Sequence, residues 1–142
     1  EPGHYGVIVL DAFSSDAIPS HLITRQALRL YVRKLTRDGL LAVHISNNHL
    51  DLEPIVANLA HDGGMVGIAQ KDLRVTAAEA RAGKTASHWV ALARRPDDLH
   101  ALRDDPRWHT LAPRQGSVDR RVLQHPSDHQ VAIANGRRGA PL

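Results

Sequence analysis

Tyr5-Gly6-Val7-Ile8-Val9-Leu10, closed by Asp11, is a short and almost unbroken run of apolar and β-branched residues. A run of that length without polar alternation suits a central parallel strand buried on both faces. The loop that follows reads Asp11-Ala12-Phe13-Ser14-Ser15-Asp16-Ala17-Ile18-Pro19-Ser20, and over residues 24–37 apolar Ala27, Leu30, Tyr31 and Leu35 recur with the period of a helix. Thr24 is expected to cap that helix. Arg33, Lys34 and Arg37 load its last turn, where the helix dipole favours cations, and Gly39 is expected to stop it.

Working outward, residues 40–45 (Leu-Leu-Ala-Val-His-Ile) read as a second buried strand, followed by the polar turn Ser46, Asn47, Asn48. A second helix is expected from near Asp51, with Pro54 in its first turn and Leu52, Ile55, Val56, Leu59 and Ala60 on one face. Asp62, Gly63 and Gly64 should end it. Residues 65–70 predict a weaker strand, 76–84 an Ala-rich polar connection, 87–93 a strand open to antiparallel pairing, and 96–103 a short helix. Strands separated by helical segments predict an α/β fold with a mostly parallel open sheet and one antiparallel strand.

At 142 residues, with 42% apolar and 23% charged, the chain can bury a core over much of its length as one domain. No apolar run approaches the roughly 18 residues of a membrane span. Without cysteine there are no disulfides, thiolate metal sites or cysteine nucleophiles, which fits a reducing compartment, and the expected location is cytoplasmic or a cytoplasmic domain of a membrane protein. The chain begins at Glu1 without Met or a leader, so it is expected to be a piece of a longer protein. The net charge of +3 lies wholly beyond residue 113: thirteen Lys/Arg balance thirteen Asp/Glu before it, whereas Arg114, Arg120, Arg121, Arg137 and Arg138 face only Asp119 and Asp128. No nucleic-acid partner is expected from so balanced a body with 4% aromatics.

In open α/β sheets ligands bind beyond the carboxyl ends of the strands, so the loop after residue 10 is where chemistry is expected. Asp11 and Asp16 place two carboxylates five residues apart, able to hold a cationic amine and to accept its proton. The alternative is that Asp11 caps a turn and Asp16 is solvated. Ser14 and His21 could line the same crevice. His44 reads either as a hydrogen-bonded core histidine or as a catalyst, and Asn47 and Asn48 as turn residues beside the Asp11 loop. No Ser-His-Asp order with an elbow motif and no phosphate loop is present. Of ten histidines only His125 and His129 share i, i+4 spacing, so no metal site is expected.

The stretch from Tyr5 through Asp11, Asp16 and Pro19 to Ala27, with Asp38-Gly39-Leu40-Leu41-Ala42-Val43-His44-Ile45-Ser46-Asn47, resembles the C-terminal half of spermidine-synthase-like proteins. The likeness is closest to the bacterial branch often fused to an N-terminal membrane region, and covers residues 3–110. It implies strands 4 to 7 of a Rossmann-like class I methyltransferase fold. It further implies aminopropyl transfer from decarboxylated S-adenosylmethionine to a diamine, with Asp11 as the acid that activates the amine and Asp16 helping to hold it. The turn and acid that hold the nucleoside would lie upstream. The fragment is therefore expected to bind no cofactor and to be inactive alone, decarboxylated S-adenosylmethionine or S-adenosylmethionine being the co-substrate of the parent. A methyltransferase-like protein and a non-catalytic module that keeps the fold are the alternatives, and a homo-oligomer is left open.

Residues 1–111 are thus read as the half-domain and 112–142 as a disordered tail without periodicity. Family members close with Trp-Thr-Asp-Asp-aromatic-Ser-Asn, which the tail lacks as written. Permissible codons for residues 118–129, read one base later, yield Trp-Thr-Asp-Glu-Tyr-Ser-Asn. A slip of reading frame between about Arg107 and Val118 is the expectation drawn from this.

Overall fold

The computed structural model describes residues 2–12, 20–47 and 50–113. Ser14, Asp16, Asn48 and the whole of 114–142, with the expectations placed on them, lie outside the described residues. Five strands form one sheet: β1 (Tyr5–Leu10), β2 (Leu35–His44), β3 (Val66–Asp72), β4 (Ser87–Ala93) and β5 (Trp108–Thr110), in the order β1-β2-β4-β3-β5. Helix α1 (Arg25–Lys34) follows β1, α2 (Glu53–Asp62) follows β2, and α3 (Ala77–Arg81) joins β3 to β4. A 3₁₀ turn (Pro96–Leu99) continues into α4 (His100–Arg103). The fold is α/β with an open mixed sheet.

The expected mostly parallel sheet is corrected by the pairing: only β1–β2 is parallel, while β2–β4, β3–β4 and β3–β5 are antiparallel. The cause is the insertion of β4 between β2 and β3. Both neighbours run the same way, so one reversed strand produces two antiparallel ladders. β5, a strand the sequence reading did not include, adds a third.

The first strand is where expected, yet it is not buried on both faces. It forms the sheet edge, with Tyr5, Val7 and Val9 each about half exposed. Ile8 and Leu10, on the alternate face, pack against the main core.

Helix α1 is shorter than its sequence pattern. Thr24 caps it, its hydroxyl accepting the Ala27 N–H at 3.1 Å, but the chain turns extended at Leu35 and passes directly into β2. Gly39 therefore stops no helix. It lies within β2, where a Cβ would come within 3.0 Å of the Tyr5 carbonyl, at an irregularity where Tyr5 pairs with Leu35 but Val7 with Leu40. The inward stripe also shifts: Leu28 is buried, while Leu30 stands 46% exposed. Arg94, at the end of β4, closes this junction by donating to the carbonyls of Val32 and Thr36, with a longer bond to Leu35 at 3.3 Å. The Val32 carbonyl is one that a helix end leaves unmatched, and those of Leu35 and Thr36 open β2 directly after it.

The main core lies between the sheet and helices α1 and α2, and includes Leu28, Leu35, Leu41, Val43, Ile45, Leu52, Val56, Leu59, Val90 and Leu92. A smaller cluster on the other face gathers Ile68, Ala91, Ala93 and Leu99. Gly67 is required by contact, since a Cβ there would meet Leu92 Cδ2 at 2.6 Å and Leu111 Cδ2 at 2.8 Å. No helix among the described residues is long and apolar enough to cross a membrane.

Candidate functional site

Parallel register brings the site together. Because Leu10 pairs with Val43, the residues after each, Asp11 and His44, emerge side by side at the carboxyl ends of β1 and β2. Antiparallel pairing of His44 with Trp89 adds the start of β4, and Lys71 with His88 adds the end of β3. One end of the sheet thus collects the polar residues, as the position of ligand crevices in such folds leads one to expect.

On one face, His44 Nδ1 lies 2.7 Å from Asp11 Oδ1, and His44 Nε2 lies 2.7 Å from Ser46 Oγ. The backbone N–H of His88 donates to the same Ser46 oxygen at 2.8 Å. A neutral imidazole with its proton on Nδ1 satisfies all three contacts: His44 donates to Asp11, and Ser46 donates to His44 while accepting from His88. The imidazole stacks on Trp89, ring centres 4.6 Å apart and planes 19° from parallel. Asp11 keeps 61% of its side chain exposed, whereas His44 keeps 20%. The carboxylate is held at its rear by the histidine and open at its front.

On the opposite face Glu53, the first residue of α2, lies between two histidines. His88 Nε2 is 2.9 Å from its Oε2, and His109 Nε2 is 2.8 Å from its Oε1. Lys71 Nζ approaches Glu53 Oε2 at 3.5 Å and Asp51 Oδ1 at 3.9 Å. Burial opposes ionisation of Glu53, but the His109 hydrogen bond and the charges of His109, Lys71 and His88 outweigh it and hold its carboxyl below the usual range. Burial, seconded by Lys71, pushes the His88 imidazole down against the pull of Glu53. A cavity of about 430 Å³ opens beside this cluster, bounded by Ser46, Asn47, Asp51, Lys71, Leu73 and His88.

Of the sequence-predicted residues, Asp11 stands at the strand end as expected, and His44 is its partner. Ser14 and Asp16 lie outside the described residues. His21 sits exposed in the 3₁₀ turn Ser20–Ile23, where its carbonyl accepts the Thr24 hydroxyl at 3.4 Å; no hydrogen bond or ion pair joins it to Asp11 among the described residues. Asn47 accepts the Leu50 N–H at 2.8 Å, the turn role foreseen for it. Sequence reasoning passed over Ser46, Glu53, His88 and His109. The signals available were a serine two residues beyond His44 and a glutamate opening a helix, neither distinctive alone. No protein-family model matches the chain, and no curated protein matches it.

Proposed function

We propose that this chain forms the acceptor-amine side of an aminopropyltransferase of the spermidine-synthase type. The observation that carries the reading is Asp11 at the carboxyl end of β1, oriented from behind by His44 and open to solvent in front. The expected half of a class I methyltransferase fold is supported by β1, β2 and β3 running one way with β4 reversed among them.

In this reading Asp11 accepts a proton from the ammonium of a bound diamine, freeing the nitrogen lone pair. The nitrogen bonds to the carbon beside the sulfonium of decarboxylated S-adenosylmethionine as the carbon–sulfur bond breaks, its electrons passing to sulfur, which leaves as a neutral thioether. The positive charge passes from sulfur to the new secondary ammonium, so no new charge has to be stabilised, and alignment and proton removal are the protein's main tasks. The test is transfer to putrescine by the full-length protein. Asp11→Asn should lower kcat by about 10²-fold or more with the fold intact. An unchanged rate rejects the role of Asp11, and cofactor or diamine binding without turnover makes the chain a binding module.

A second reading is favoured by one observation, the ordered contacts Asp11, His44, Ser46. Acid, imidazole and hydroxyl in that sequence also activate serine nucleophiles. A fluorophosphonate that labels Ser46 only while His44 is present would favour acyl transfer over alkyl transfer.

A further inference from the structure

Asp51, Glu53 and His88 each offer one donor atom, and the three atoms lie within 4.8 Å of one another. They come from three places in the chain: the approach to α2, its first residue, and strand β4. His88 is 7% exposed and the Glu53 side chain 18%, so two of the three are held by the core rather than scattered over the surface. Asp51 is half exposed and borders the cavity of about 430 Å³.

We propose that these three side chains form a binding site for a divalent first-row transition ion of the zinc class. One imidazole with two carboxylates suits such a borderline ion better than magnesium or calcium, which favour oxygen alone. Three protein donors leave a coordination position open, and the neighbouring cavity supplies room for water or a ligand there. His109 bonds the other oxygen of Glu53, Oε1, at 2.8 Å and so fixes the carboxylate without entering the donor group. An outer partner of this kind orients a metal-binding carboxylate.

Lys71 is the resident cation. Its ammonium lies 3.5 Å from Glu53 Oε2 and 3.9 Å from Asp51 Oδ1, one positive charge against two carboxylates. At 42% side-chain exposure on a flexible stem, it can withdraw to solvent when a metal enters. Metal and lysine therefore compete, which separates this site from casual binding to exposed histidines.

The experiment is calorimetric titration of the whole chain with Zn²⁺, repeated with Co²⁺ while its visible bands are recorded. One equivalent should bind at micromolar or lower concentration. Asp51→Asn, Glu53→Gln and His88→Gln should each weaken binding by at least about tenfold, Lys71→Met should tighten it several-fold, and the Co²⁺ bands should vanish in His88→Gln. Asp51→Asn changes a half-exposed residue and guards against loss of fold in the others. Binding indifferent to Asp51, Glu53 and Lys71 but abolished by joint His125→Gln and His129→Gln overturns the proposal, as does no binding below millimolar Zn²⁺.

Discussion

His44 and Asp11 meet at 2.7 Å because two parallel strands end in register, and the stack of His44 on Trp89 keeps the imidazole where Asp11 can use it. Under the proposed role of Asp11, His44 acts as a positioning residue for the acid, and a double-mutant cycle tests this. His44→Phe retains the ring stack and removes both hydrogen bonds, so stability should fall by only about 1–3 kcal/mol. If Asp11 acts as proposed, kcat should drop roughly tenfold with KM unchanged, and the double variant with Asp11→Asn should be no slower than Asp11→Asn alone. Additive losses would mean that His44 acts apart from Asp11.

Arg94 ties the end of β4 to the carbonyls where α1 gives way to β2. Arg94→Met keeps most of the apolar stem and leaves those carbonyls without their charged donor. The expected loss is about 2–3 kcal/mol, read as a lower urea midpoint with an unaltered slope. A loss within experimental scatter would show that water replaces the guanidinium.

Much of the fold is legible in local sequence. The limits of β1 and β4 follow from the apolar runs at 5–10 and 87–93, and α2 follows from its helical stripe with Pro54 and the two glycines after Asp62. What fails is whatever depends on neighbours. Gly39 looks like a helix stop until Tyr5 is seen against it, and Val7 and Val9 look buried until β1 proves to be an edge. The order β2-β4-β3 cannot be read from spacing, because insertion of a reversed strand is decided by packing. Helix α3 did carry a signal, Thr76 with Glu79 three residues on, which forms a full capping box. The Glu53 cluster carried no signal that joins its members, since His88 and His109 stand 35 and 56 residues away in sequence.

That capping box makes α3 sensitive to acid. The hydrogen bond from Lys84, followed by those from the Thr76 backbone N–H and hydroxyl, holds the Glu79 carboxyl down at about 2 against an ordinary 4.5. A carboxyl depressed on folding contributes stability that is complete above its unfolded value and is lost as pH falls through its folded one. Amide exchange over residues 77–81 should therefore lose protection between about pH 4.5 and 2. Glu79→Gln should show the low protection at every pH, and a pH-independent wild type would show that the box does not hold the helix.

Among the described residues the outer edge of β1, with half-exposed Tyr5, Val7 and Val9, pairs with no further strand and lies beside an apolar strip that continues to the exposed Leu30. Such an edge pairs readily with a second copy. The isolated chain should associate with rising concentration in sedimentation equilibrium, and Val7→Lys with Val9→Lys should return it to monomer. Unchanged association in that variant would place the contact elsewhere.

Strand β5 bears on the reading frame. Trp108–Thr110 pairs with residues 68–70 of β3, the Leu111 N–H donates to the Gly67 carbonyl at 2.9 Å, and the Leu111 side chain is buried over the gap left by Gly67. Residues that fit the sheet this closely belong to the frame that encodes the sheet. Any slip within the expected span from Arg107 to Val118 would therefore have to fall after Leu111, within the next seven codons. The coding DNA for residues 118–129, read one base later, should give Trp-Thr-Asp, an acid, an aromatic residue, Ser and Asn, while the frame before codon 111 should remain open and unshifted. A chain rebuilt in the corrected frame should end in an acid-and-aromatic segment, and its thermal midpoint should rise above that of the present chain if the segment packs on the fold. Stop codons in the alternate frame, or an unrelated peptide there, would make the five tail arginines an encoded basic arm instead.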